Sequence, residues 1–136
     1  MNISSYIFTI LFILIIDIIW LLSNSKNYNK LIKNVQGSIL NLNFIGAILS
    51  YLTLIFALFF FSIPIINSKL KENKNSLLYL CIIYGGGLGF LMYGMFNTTN
   101  LAIFKNYDIY VGLLDTFWGF IVFSLGSYFY FSIKKN

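Results

Sequence analysis

Gly112-Leu113-Leu114-Asp115-Thr116-Phe117-Trp118-Gly119 sets a carboxylate inside an apolar run that continues past Gly126. On a helix, Gly112, Asp115, Gly119 and Gly126 share one face, because steps of three, four and seven residues separate them. The three glycines make that face smooth, so a neighbouring helix can approach closely. The acid then points at a packing surface and away from lipid. The first apolar run carries the same device, Asp17-Ile18-Ile19-Trp20 against Asp115-Thr116-Phe117-Trp118. A hydrophobic chain with one acid near the end of its first run and another near the start of its last reads as a small membrane protein with an internal polar site.

Composition supports that class. The chain has 136 residues, 59% hydrophobic and 10% charged, whereas soluble domains carry about 25% charged residues. It reads as one integral membrane domain over residues 1–136. The net charge of +5 arises from nine lysines against four acids. The lysines lie between the apolar runs, so no basic face remains for nucleic acid. Histidine and arginine are absent and Cys81 is the single cysteine. Zinc, haem and di-iron sites of the usual kinds therefore lack ligands, as do serine–histidine and cysteine–histidine catalysis. The sequence implies no metal, no cofactor and no catalytic residue. Gly85-Gly86-Gly87-Leu88-Gly89 lies inside an apolar run without a nearby lysine or strand, which argues for helix packing through Gly85 and Gly89 over a phosphate loop.

Four spans follow from run length, at about 4–22, 44–66, 77–101 and 109–131, each near the ~20 residues a bilayer needs. The fold expected is an all-α four-helix transmembrane bundle with both termini on one side. Pro64 is expected to help end the second span, with a short loop over 67–75. Gly46, Ser50, Thr53 and Ala57 form a small-residue stripe on that span. Between the first two spans, Tyr28, Leu31, Ile32, Val35 and Ile39 recur among Lys26, Lys30 and Lys33. That spacing fits either an interfacial helix over 27–40 or an irregular loop. Lysines on the side of the termini exceed those on the other side by one, which places the termini in the cytoplasm under the positive-inside rule.

Depth then collects the polar residues. Asp17 lies about six residues before the end of the first span and Asp115 about six after the start of the fourth, so both sit roughly 9 Å inside the same edge. Asn97 and Asn100 close the third span at that edge, with Tyr93 on their face and Thr99 beside them. Trp20, Trp118 and Tyr107 fit the aromatic belt there. No lysine or arginine lies inside the spans to pair with the acids. Sharing hydrogen bonds and retaining a proton is the cheapest remedy. The helix ends favour the anion at Asp115 and disfavour it at Asp17, so Asp17 is expected to hold the proton.

Asp17-x-x-Trp20-Leu21, Tyr93-x-x-x-Asn97-x-Thr99-Asn100-Leu101-Ala102 and Asp115-x-x-Trp118-Gly119, in this order, resemble a family of small four-span membrane proteins, the domain of unknown function 2177. The resemblance covers nearly the whole chain. It implies a multi-pass membrane protein and supplies no activity. The family pattern often carries an acid where this chain has Asn97, which weighs against a three-acid cation site here.

The functional expectation is a polar pocket of Asp17, Tyr93, Asn97, Thr99, Asn100 and Asp115 that binds or passes a small solute, proton or cation. The alternatives are a structural or assembly protein without a ligand, and an intramembrane enzyme such as a lipid-modifying one. The expected partners are the lipid bilayer and, because the chain is short for a transporter, a second copy or another membrane subunit. The glycine faces at Gly46, Gly85, Gly89, Gly112, Gly119 and Gly126 would supply close contacts.

Overall fold

The computed structural model describes residues 3–72 and 76–134. Among these residues the regular structure is helical and there is no strand. Four helices are long and apolar enough to cross a membrane: α1 (Ile3–Ser23), α3 (Phe44–Glu72), α4 (Leu77–Ile103) and α5 (Ile109–Ile133). A shorter amphipathic helix, α2 (Ser25–Gln36), follows α1.

Local sequence sets the boundaries. The Asn43 side chain accepts from the Gly46 N–H and caps α3; Ser76 does the same for α4 through Tyr79. Asp108 caps α5 by accepting from the amides of Tyr110 and Val111. α2 ends where Gly37 turns left-handed at φ 75° and donates its N–H to the Lys33 carbonyl. The helix expected over 27–40 thus runs over Ser25–Gln36, ending before Ile39.

Pro64 does not end the second span. The helix runs through it to Glu72, so the loop expected from Asn67 onward begins later, and 73–75 lie outside the described residues. The reason is a π-helical turn at Leu58–Ser62, just ahead of the proline, in which Ile63 N–H donates to the Leu58 carbonyl five residues back. The wider turn relieves the contact between a proline ring and the carbonyl four residues earlier. A second π turn, Cys81–Gly86, interrupts α4. The two meet at Ser127 of α5. Ser62 and Ser127 hydroxyls lie 2.8 Å apart and fully buried, and a Cβ added at Gly85 would lie 2.6 Å from the Ser127 hydroxyl.

α5 is the most buried span and forms the centre. It packs along α4 through glycine. A Cβ at Gly89 would overlap the Gly119 carbonyl, so the two backbones touch there. On its other side, Gly126 receives Ile13 of α1 and, less tightly, Leu58 of α3. Ile13, Leu54, Leu58, Val122 and Phe123 form the apolar core. The buried face of α1 is Ser5, Thr9, Ile13 and Asp17, a strict four-residue repeat that ends on the acid. Ser5 meets the Ile133 carbonyl at 3.5 Å, so α1 and α5 run antiparallel.

The first turns of α3 pack little against the other helices. From Phe44 to Thr53 only Ala47 and Tyr51 are even half-buried. Gly46 lies there and meets nothing but the capping Asn43, so it packs against no other helix.

Candidate functional site

Asp17 and Asp115 lie at one end of the bundle, each held by two donors. Asp17 is 7% exposed. Its Oδ1 accepts from Trp118 Nε1 at 2.8 Å and its Oδ2 from the Tyr51 hydroxyl at 2.7 Å. Asp115 Oδ1 accepts from the Tyr28 hydroxyl at 2.5 Å, and Oδ2 from Asn97 Nδ2 at 2.9 Å. All four carboxylate oxygens thus have a donor.

The repeated Asp-x-x-Trp motifs interlock. Residues three apart share a helix face, so each motif presents an acceptor beside an indole. The antiparallel crossing of α1 and α5 sets the two indoles face to face, with ring centroids 4.6 Å apart and planes 2° from parallel. Trp118 donates directly to Asp17. Trp20 donates to the Tyr28 hydroxyl at 3.0 Å, and Tyr28 passes the bond on to Asp115. Each tryptophan therefore serves the other helix's acid.

Asn97 is 4% exposed and fully used. Its Nδ2 donates to Asp115 and to the Tyr93 carbonyl at 2.8 Å, and its Oδ1 accepts from the Tyr107 hydroxyl at 2.5 Å. A Cβ at Gly112 would crowd the Tyr107 ring at 3.2 Å and reach ordinary contact with Asn97 at 3.5 Å, so the glycine makes room chiefly for Tyr107. Gly119 likewise seats the Tyr93 ring. Tyr28 and Tyr107 lie outside the spans. Burial, then the charge of Asp115, pushes the Tyr28 phenol above its ordinary range. Burial also raises Tyr107, opposed by the Asn100 amide.

A cavity of about 560 Å³ adjoins the two acids. Asp17 and Leu21 of α1, Tyr51 and Leu54 of α3, Met92, Tyr93 and Phe96 of α4, and Asp115 of α5 line it. This size lies within the range of small-molecule pockets, which are largely apolar with a few converging polar groups. Among the described residues no three histidine, cysteine or acidic side chains gather as a metal site would need.

The structure therefore brings Asp17, Tyr93, Asn97 and Asp115 together, with Asn100 beside Tyr107. Thr99 does not join them; it is exposed on the outer face of α4. Trp20, Trp118 and Tyr107, expected as interface anchors, are half-buried and donate into the acid network. Tyr28 and Tyr51 are the donors that sequence reading missed. Tyr28 shares the apolar face of α2 with Leu31 and Val35, a visible signal whose target was hidden. Tyr51 is the only tyrosine in its run, and nothing local marks it as reaching Asp17.

The family described as predicted membrane protein (DUF2177) matches residues 2–131, and the chain belongs to it. Comparison with curated proteins returns no match, and neither does comparison with solved structures.

Proposed function

We propose that this member of the DUF2177 family is a binding or transport-type membrane protein, whose pocket beside Asp17 and Asp115 receives a small solute, proton or cation. One observation carries the reading: two carboxylates from different spans line one cavity, with no lysine or arginine beside them. Ionisable groups inside a membrane domain are rare and mark solute and proton pathways. Asn97 and the tyrosines fix the acids in position, and each carboxylate oxygen keeps a second lone pair for a guest. Both termini face the cytoplasm in this reading, and a second copy or partner subunit completes any path across the membrane.

Infrared difference spectroscopy in lipid tests it, comparing wild type with Asp17→Asn and Asp115→Asn. A carboxyl band that responds to pH or to added cation and vanishes in one variant supports the pocket. Carboxyl bands indifferent to both in wild type overturn it.

The full pairing of all four carboxylate oxygens favours a second reading, in which the cluster is structural glue that fixes helix register. Replacing both acids by asparagine separates the two. Glue tolerates the exchange, because asparagine keeps the hydrogen bonds, whereas a proton- or cation-handling pocket loses its response.

A further inference from the structure

The cavity has one polar wall and a side that opens along α3. The polar wall is Asp17, Asp115 and the Tyr51 hydroxyl. Leu54, Met92 and Phe96 supply apolar lining. Ser50 and Thr53 also border it, but their hydroxyls donate to their own helix, to Gly46 at 2.9 Å and Leu49 at 2.9 Å, and offer a guest little. From Phe44 to Thr53 no other helix packs closely on α3. Tyr51 alone crosses to Asp17 by a hydrogen bond there. The approach from the membrane surface is different. There α2 covers Asp115 with Tyr28, and the stacked Trp20 and Trp118 close beside it.

We propose that the guest is a membrane-borne amphiphile with a cationic amine head, which enters sideways from the bilayer past the first turns of α3. This rests on the pocket reading above and names the class of guest. Charge decides the head. The lining holds two acids and no base, so an ammonium group supplies the missing counter-charge and donates N–H bonds to the open lone pairs. A phosphate head meets two carboxylates and is excluded. Shape decides the tail. The remaining lining is apolar, and the open side is flanked by the exposed Leu49 and Phe96, which face acyl chains in a bilayer. Tyr51 is the positioning residue at the entrance. Its hydroxyl holds Asp17 when the pocket is empty and swings aside when an amine takes its place.

The chain carries its own reporter, since its two tryptophans both stand at the acid cluster. Tryptophan fluorescence of the protein in phosphatidylcholine nanodiscs is followed during addition of dodecylamine, dodecanol or ethylamine. Dodecylamine is expected to give a saturable change, with dodecanol and ethylamine at least about tenfold weaker. Asp17→Asn and Asp115→Asn weaken dodecylamine by a similar factor while keeping the helical circular dichroism. Equal binding of dodecanol overturns recognition by the carboxylates, and this comparison needs no variant. Equal binding of ethylamine overturns the bilayer route. An infrared carboxyl response to pH without saturable dodecylamine binding overturns the amine and leaves the pocket standing. Loss of both signals overturns the pocket as well.

Discussion

At the scale of residues, the donors around Asp17 differ in what they tolerate. The Tyr51 hydroxyl can turn round and accept a bond, whereas the Trp118 indole can only donate. Asp17→Asn is therefore expected to fold, with its amide oxygen towards Trp118 and its amide nitrogen towards Tyr51. Asp17→Leu leaves the indole N–H and the phenol without an acceptor, at a cost of about 1–3 kcal/mol. Thermal unfolding in detergent distinguishes them. Asn97 gives a second test. Its amide donates to Asp115 at 2.9 Å. In Asn97→Asp two carboxyl groups meet at that distance and cannot both ionise, so one retains a proton. A new protonated carboxyl band in the infrared spectrum at neutral pH is the expected result. The stacked indoles should also give an exciton couplet in far-ultraviolet circular dichroism that disappears in both Trp20→Phe and Trp118→Phe.

At the scale of elements, α4 offers a paired experiment on glycine. Gly89 touches the α5 backbone at Gly119, so Gly89→Ala forces the helices apart and is expected to cost about 1–3 kcal/mol. A Cβ at Gly87, two residues earlier, meets nothing within 4 Å. Gly87→Ala should be neutral or stabilise by up to about 1 kcal/mol through helix propensity. Unfolding of both variants in the same detergent checks the contrast. α2 is held by Leu31 and by Tyr28 on Asp115. The Tyr28 phenol is raised above its ordinary 10.0, so the folded state binds that proton more tightly than the unfolded one. Its contribution is complete below that value and falls as the pH climbs above it. Hydrogen exchange of the α2 amides at neutral pH should accelerate in Tyr28→Phe, and thermal stability should fall more steeply in wild type than in Tyr28→Phe in the alkaline range above 10.0.

For the whole molecule, the bundle fixes which connections share an end. Asn106 donates to the Asn34 carbonyl, which joins α2 to the turn between α4 and α5. At the opposite end Lys134 reaches Asn67. With Cys81 replaced by alanine, single cysteines at Ser38 and Asn106 should label from one side of a sealed vesicle and one at Ser68 from the other. The sequence by itself determined the class and the level of the site. Uncharged runs of bilayer length leave a chain in lipid no choice but helices, because no water is there to satisfy an open backbone. The 1.5 Å rise, counted from the expected span ends, puts Asp17, Asn97 and Asp115 at one end of the bundle. Glycine and acid on one face of the last run also placed that face inward. The tertiary structure decided the rest. Whether Trp118 serves its own helix's acid or the other's depends on how α1 and α5 rotate against each other, and no local pattern encodes that rotation. The reach of Tyr28 and Tyr51 depends on where α2 and α3 come to lie. Pro64 reads as a stop only while the turn before it is taken as α-helical; the π turn at Leu58–Ser62, whose Ser62 meets Ser127 of another helix, is not written in the local pattern. Period and length are properties of one segment and are written in it, whereas a partner belongs to two segments and exists only once they meet.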